Sequence, residues 1–450
     1  MSGLRSTLAS PQLRRILVAY TINRLGTWFG YVALSVAVFA HTHSALGVAA
    51  LLVTGQALPA VLVPGLVARI EGSSRRSRLS ALYAFEAVAT LALAGLLWHF
   101  WLPAILVLVA LDGTAALAAS ALLRAEAARV AGSEATESDR GGTRDPGERS
   151  DEAKAAERAA NAALNMAFSS TFVLGPALAG LTVAAAGGPA ALLIDAASFL
   201  IGAGMLLGIS PHVEEAEVDG VRARLQEAWG HIRGLPALRW LLAAESLALV
   251  FFAADASIEV PYAKATLHAG DRGYGLLLTV WGVGAAIGSL AFARSARRPI
   301  GVMLSVGTVA VGLAYVGFAA APSLAVACIA GVLGGAGNGV QWASLISAVQ
   351  QLTPANLHGR MMGAVEAINA FFPALGLILG GALTAASSTR TAFLVVGLGA
   401  VAMTVAFVRL AASSTLGQPR SARDPSSALG PEEARGTVLA EPVSVERADL

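Results

Sequence analysis

The chain has 450 residues, 56% of them hydrophobic and 13% charged, with a formal net charge of +2 and a mean hydropathy of +0.66. A chain of ordinary soluble domains needs more polar surface than this, so the composition points to the membrane. The single cysteine, Cys328, excludes a disulfide framework and a cysteine-built metal cluster.

A bilayer core of roughly 30 Å needs about 20 apolar residues per crossing helix. The first apolar run follows Arg14 and Arg15 and spans 15–40. That is too long for a signal-peptide core and long enough to cross. The uncharged "HTHSA" leads to the second run, 46–68, which ends in the basic stretch Gly65 to Arg78. Runs at 79–98 and 103–123 follow, and then a hydrophilic segment, 131–153. Its Gly, Ser and charge content predicts a disordered or loosely helical cytoplasmic insertion. The fifth and sixth runs, 160–186 and 189–209, flank the uncharged "AGGPA". In 211–238, Val221, Leu225, Trp229, Ile232 and Leu235 recur at helical spacing among Arg222, Arg224 and Arg233. This predicts a short amphipathic helix on the inner membrane face. The last six runs are 239–262, 274–293, 300–319, 324–349, 361–385 and 390–410. The Pro/Ser/Glu-rich tail, 411–450, is expected to be disordered.

The expected fold is therefore an all-α membrane protein with twelve transmembrane helices. Residues 1–14 form a cytoplasmic N-terminus, 15–210 and 239–410 two six-helix halves, and 211–238 the linker between them. Arginines crowd every second connection, while the alternate set carries only Lys264, Arg272 and Arg390. Positive-inside bias then places both termini in the cytoplasm. Lysine occurs only at Lys154 and Lys264, a usage typical of a GC-rich bacterial genome, so the expected location is a bacterial cell membrane. The halves look like repeats: "GPALAG" at 175–180 aligns with "GLILGG" at 376–381, and Gly65 to Arg76 with Gly288 to Arg298. The two offsets differ by about the length of the 131–153 insertion. Parallel repeats of this kind form a substrate path at their interface, near the bilayer midplane.

Several stretches resemble the major facilitator superfamily, in its branch of macrolide-efflux and other drug:proton antiporters and siderophore exporters. They are "RAANAALNMAFSSTFVLGPALAG" (158–180), "LIDAASFLIGAGMLL" (193–207), "PALRWLLAAESLALVFFAADASIEVPY" (236–262), "YGLLLTVWGVGAAIGSL" (274–290) and "LTPANLHGRMMGAVEAINAFFPALGLILGGAL" (352–383). The last, with Gly359 and Arg360, is the most specific. The resemblance implies the major facilitator fold, with two pseudo-repeats, and monomers. It also implies a conformational motif between helices 2 and 3, where Gly65 and Gly72 match the family pattern. Arg69 stands in place of its acid, Glu71 is the nearest alternative acid, and the basic pair is displaced to Arg75 and Arg76. In the antiporter motif of helix 5, Gly175 and Pro176 match, while Thr171 and Ala179 replace glycines.

Charges inside a membrane are expensive and tend to mark function. The candidates are Arg24, Glu86, Asp112, Asp195, Glu245, Asp255, Glu259 and Glu366. The resemblance implies that helices 3, 6, 9 and 12 face lipid, which favours Asp112, Arg24, Asp255 and Glu259 for proton coupling. The plain alternative for Asp112 is a permanent partner for Arg24. Asp255 and Glu259, one turn apart on one face, could equally be solvated at a pore mouth. Glu366 reads as a structural partner of Arg360, and Asp195 as a structural hydrogen-bonding group. Gln56, Asn161, Asn165, Asn338, Gln341, Trp342 and Asn369 are the candidate cavity residues, with Phe371 a further apolar surface. Amide donors and aromatic walls suit a large amphipathic ligand, although each amide is more often packing glue between helices. Gly284, Gly288, Gly376 and Gly380 have small-xxx-small spacing, which allows close helix contact.

No enzyme motif stands out. The glycines at Gly397 and Gly399 sit inside an apolar helix with no preceding strand, and there is no phosphate-binding Gly-Lys-Ser/Thr loop. His41 and His43 read as solvated loop residues, so no metal or cofactor is expected, and no nucleic acid. The expected function is secondary export of hydrophobic or amphipathic small molecules in exchange for protons. Alternatives are an importer or uniporter of a small nutrient and, less directly, a membrane sensor.

Overall fold

The computed structural model describes residues 10–59, 78–137, 146–209, 229–295, 298–353 and 358–413. Every regular element among them is helical: α1 (Pro11–Thr42), α2 (Ala45–Leu52, widening into a π-turn at Val53–Ala57), α3 (Arg78–Trp98) and α4 (Leu102–Glu137). Pro146–Met205 is broken at Gly187 into α5 (146–186) and α6 (188–205). Then come α7 (Pro236–Pro261, ending in a π-turn at Tyr262–Thr266), α8 (Gly270–Arg294), α9 (Ile300–Ala320), α10 (Leu324–Gln351), α11 (His358–Ala386) and α12 (Thr389–Ser413). Helices are what hydrocarbon permits, because a helix satisfies its own backbone where no water can. Apolar residues cover the outer faces too: Leu181, Ile201 and Ile329 are each more than half exposed. Among the described residues, nine helices are long and apolar enough to cross a membrane.

The expected boundaries hold best where hydropathy changes sharply, as at Ile300–Ala320 and Leu324–Gln351. They fail at the C-terminal end of α4, which continues to Glu137 instead of stopping near 123. Side-chain pairing holds this extension. Arg129 is paired with Glu126, and Ser10 Oγ donates to Glu134 Oε1 at 2.6 Å. The hydrophilic segment 131–153 is thus helical at both ends, at 131–137 and 146–153. Of the amphipathic linker, 229–238 is described, helical at 229–234 and again from Pro236. Gly187 has φ 84°, a left-handed conformation that glycine adopts at no steric cost, and this single residue turns α5 into α6.

The core is organised by ends. At the end holding the sparsely charged connectors, one continuous apolar cluster draws on all twelve helices, from Val32 and Val36 of α1 to Phe393 and Val396 of α12. At the other end there are two clusters. One contains Leu13, Tyr20, Tyr83, Leu122 and Phe199 from the first half alone. The other contains Leu238, Leu304, Leu345 and Phe407 from the second half alone. The halves are closed against each other at one end and packed separately at the other.

Glycines make the closed end possible. A Cβ on Gly275 of α8 would lie 2.7 Å from the Cα of Gly180 of α5, and one on Gly180 would overlap Gly275 in turn. A Cβ on Gly381 of α11 would come 2.9 Å from Ala49 Cβ of α2. Gly180 and Gly381 are the last residues of the two repeated hexapeptides, so the sequence repeat corresponds to a repeated contact between halves. Gly284, Gly288, Gly376 and Gly380 serve close packing, as their spacing predicted. Their missing side chains admit backbone of α10 in the first pair and of α7 in the second.

Candidate functional site

Between the halves lies a cavity of about 530 Å³. α1 places Arg24, Thr27, Trp28 and Tyr31 along it. α4 contributes Asp112, and α6 contributes Asp195. The second half supplies mostly apolar cover, from Ala253, Ala256, Pro373 and Leu377.

Asp195 reaches this wall because α1 is bare opposite it. A Cβ on Gly30 would stand 3.3 Å from Asp195 Oδ2, and one on Gly26 would overlap its Oδ1. Asp112, Asp195 and Glu86 of α3 lie within electrostatic reach of one another. Asn23 Nδ2 donates to Glu86 Oε2 at 2.8 Å. The other Glu86 oxygen, and Oδ1 of both Asp112 and Asp195, are buried without a hydrogen-bond partner. Buried polar atoms are normally satisfied, so three unpartnered carboxyl oxygens close to one another, on Glu86 and on the cavity-lining Asp112 and Asp195, are unusual. Sequence reasoning set Glu86 and Asp195 aside as scaffold acids on lipid-facing helices. At 0% and 3% exposure both point inward, because α3 and α6 each turn one face to the bundle. Gly26 and Gly30, four apart on α1, were the sequence signal.

Arg24 forms no ion pair with Asp112. Its guanidinium lies over the Phe168 ring, 4.8 Å from the centroid, and 5.9 Å from that of Tyr20. The permanent Arg24–Asp112 partnership is therefore corrected. The two line the same cavity separately. Gln56 also lines it, presented by the π-turn of α2. That turn packs tightly on α4, since a Cβ on Gly113 would strike the Gly55 carbonyl. Such wide turns are frequent at functional sites.

Asp255 and Glu259 occupy a different place. They lie beside Tyr31, Tyr274 and Tyr315, at the closed end. Glu259 is 5% exposed, and Asp255 Oδ1 and the Tyr274 hydroxyl are buried without partners. A solvated pore mouth is thereby corrected: three tyrosines and the seam between the halves cover this pair. Lys264 nearby is bonded to Asp271 at 2.7 Å.

The amide set divides. Gln341 leaves the cavity: it is 1% exposed, and its Nε2 donates to Glu245 Oε2 at 2.6 Å. Asn369 Nδ2 is bonded to its own helix, at Val365 O. Asn161, Asn338, Trp342 and Phe371 do not line the 530 Å³ cavity. Gly175 packs against the Trp28 side chain, and α5 stays helical through Pro176. Gly65, Arg69, Gly72, Arg75 and Arg76 lie outside the described residues, as do the side chains of Asn165, Arg360 and Glu366 and any contact at Gly359.

The sequence profile described as Major Facilitator Superfamily matches residues 246–444. The multidrug efflux pump Tap of Mycobacterium tuberculosis and that of Mycobacterium bovis are each 27% identical to this chain over 257 residues, 56% of its length. The chain spans 60% of the length of these relatives. Among solved structures, the nucleoside transporter NupG superposes with a TM-score of 0.67 at 11% identity, covering 89% of this chain and 99% of that one. A bacterial homologue of the iron transporter ferroportin, in an inward-facing state, gives 0.63 at 17% identity over 89% and 98%. At such identities the structural likeness speaks for the fold alone. Together, the fold, the profile match over residues 246–444 and the efflux-pump relatives make this chain similar to the transporters of the major facilitator superfamily, with a resemblance to the drug-efflux branch.

Proposed function

We propose that the protein exports hydrophobic or amphipathic small molecules by alternating access, in exchange for protons. The observation that carries this reading is the cavity itself. It is largely apolar, closed at one end, and holds unpartnered carboxyl oxygens at Asp112 and Asp195. An ionised carboxylate in mid-membrane costs roughly 2.5–3.5 kcal/mol on insertion scales. A proton, or a cationic group of the cargo, relieves that cost, and exchanging one for the other couples the two fluxes. Asp112 is the principal coupling residue in this reading, with Asp195 and Glu86 beside it.

Alternating access follows from rocking the six-helix halves, 15–210 and 239–410, about the cavity. The Gly180–Gly275 and Gly381–Ala49 contacts open as the separately packed end closes. Arginine placement makes the closed end the outer one, so the cavity faces the cytoplasm and both termini are cytoplasmic, in a bacterial cell membrane. The arginine-rich stretch 65–78 anchors this orientation and acts as a latch between states. The efflux-pump relatives support export over import, and the protein works as a monomer among lipids.

Everted vesicles with an imposed pH gradient test the reading. Substrate accumulation should collapse on adding a protonophore, and Asp112→Asn should abolish gradient-driven accumulation. Accumulation indifferent to the protonophore would remove proton exchange. Full activity in Asp112→Asn would remove this residue from it.

A further inference from the structure

The charges of the cavity are arranged in two poles along α1. Arg24 provides a guanidinium lying over Phe168, and no carboxylate among the described residues pairs with it. Further along the same helix, Gly26 and Gly30 leave room for Asp195, with Asp112 lining the same cavity from α4. At 1.5 Å rise per residue, Arg24 lies about 6 Å along the axis from the level midway between those glycines. The helix levels that carry the positive and negative poles are therefore about one turn apart, and no ion pair joins them among the described residues.

Cargo of a single charge fits this arrangement poorly. A purely cationic molecule seated at the carboxylates would carry its charge near Arg24. A purely anionic one at Arg24 would face Asp195 and Asp112. Like charges at such distances repel appreciably where water is partly excluded. A bare divalent ion is also disfavoured, since no group of three metal-ligating side chains is assembled among the described residues.

We infer that the cargo is an amphipathic zwitterion. Its ammonium group is held between Asp112 and Asp195, its anionic group is held by Arg24, and its apolar body lies against Phe168, Trp28 and Tyr31. This rests on the exporter reading of the same cavity and names its substrate class. The carboxylates of Asp112 and Asp195, which line the cavity, accept the ammonium protons, and the guanidinium supplies paired donors for a carboxylate.

The test is binding to the purified full chain in lipid nanodiscs. Three probes share a naphthyl body: a γ-amino acid with both charges, the matching amine, and the matching acid. The zwitterion should bind about tenfold or more tightly than either relative, since each charge-assisted contact is worth about 1.5–3 kcal/mol. Arg24→Gln should bring the zwitterion to the affinity of the amine and leave the amine unweakened. Asp195→Asn should bring it to the affinity of the acid. Arg24→Lys, which keeps the charge, should restore part of the preference, and wild-type-like melting checks that each variant is folded. An amine that binds as tightly as the zwitterion overturns the inference. So does an equal effect of Arg24→Gln on all three probes, or binding of none of them. If the zwitterion binds as stated but everted vesicles fail to accumulate it, the export reading falls and the two-pole site stands.

Discussion

The two halves share a helical plan and pair a buried glutamate with an amide in the same way, but they place their acids differently. Glu86 accepts from Asn23 and Glu245 from Gln341, and each keeps its second oxygen without a partner. In the first half, Asp112 and Asp195 line the cavity with Glu86 in electrostatic reach, while in the second half Asp255 and Glu259 lie at the closed end beside Tyr31. The polar side chains that line the cavity come from the first half, and the second half supplies apolar ones. Pseudo-repeats therefore need not divide the chemistry evenly. One half can carry recognition while the other supplies cover and the moving seam.

The largest expected effect separates the two hydrogen-bonded acids. Gln341→Ala leaves Glu245 without its donor in a fully packed site. It should lower stability by about 1.5–3 kcal/mol, the usual worth of a hydrogen bond to a charged group, seen as a lower melting temperature in detergent. Probe binding should not change, because neither residue lines the cavity. Asn23→Ala removes the donor to Glu86 and should lower stability by a similar amount, but it should also change probe affinity, since Glu86 adjoins Asp112 and Asp195. Equal behaviour of the two variants in the binding assay would erase the distinction between the halves.

The repeated glycines give a second contrast. A Cβ on Gly180 would overlap the Cα of Gly275, whereas one on Gly381 would stand 2.9 Å from Ala49 Cβ and 3.1 Å from the Ala45 carbonyl oxygen. The deeper overlap demands the larger shift. Gly180→Ala should disfavour the closed end by about 1–3 kcal/mol, the common cost of overpacking, and Gly381→Ala by clearly less. Thiol labelling of cysteines placed at Ser44 and Ser388, in a Cys328→Ala background, reads this out as faster modification when the closed end loosens.

These contrasts also show what the sequence carried. Twelve apolar runs and the arginine asymmetry gave the helices and their alternation, because hydropathy acts on each segment alone. The C-terminal end of α4 and the N-terminal end of α5 were not legible that way. They are held by pairs such as Ser10–Glu134, between residues far apart in sequence. Asp112 and Arg24 were legible as costly charges, and the cavity includes both. Asp195, read as a structural hydrogen-bonding group, was left out of the cavity set because a helix assigned to the lipid face still has a buried side. Gln341 was misread because an amide in a helix looks the same in sequence whether it faces a cavity or a carboxylate.

A smaller effect is expected at the closed end. Asp255→Asn keeps shape and removes only the capacity for charge, at a residue that is not among those lining the cavity. Its probe affinity should stay within about twofold, a difference of roughly 0.4 kcal/mol, while Asp112→Asn shifts affinity for the amine-bearing probes far more. A tenfold loss in Asp255→Asn would mean that the second half takes part in recognition after all.

The smallest effect tests where the second half stops mattering. Asn369 stands on α11 facing inward by sequence pattern, yet its Nδ2 is bonded to Val365 O of its own helix at 3.0 Å. A side chain bonded back to its own helix leaves the helix ladder intact when removed, because that carbonyl already serves the ladder. Asn369→Ala should therefore alter melting by no more than about 0.5 kcal/mol, the range of changes away from structural features, and leave affinity for all three probes unchanged. A selective loss of one probe would mean that Asn369 swings into the path during transport. The cavity would then draw on both halves in a state other than the one closed at Gly180 and Gly275.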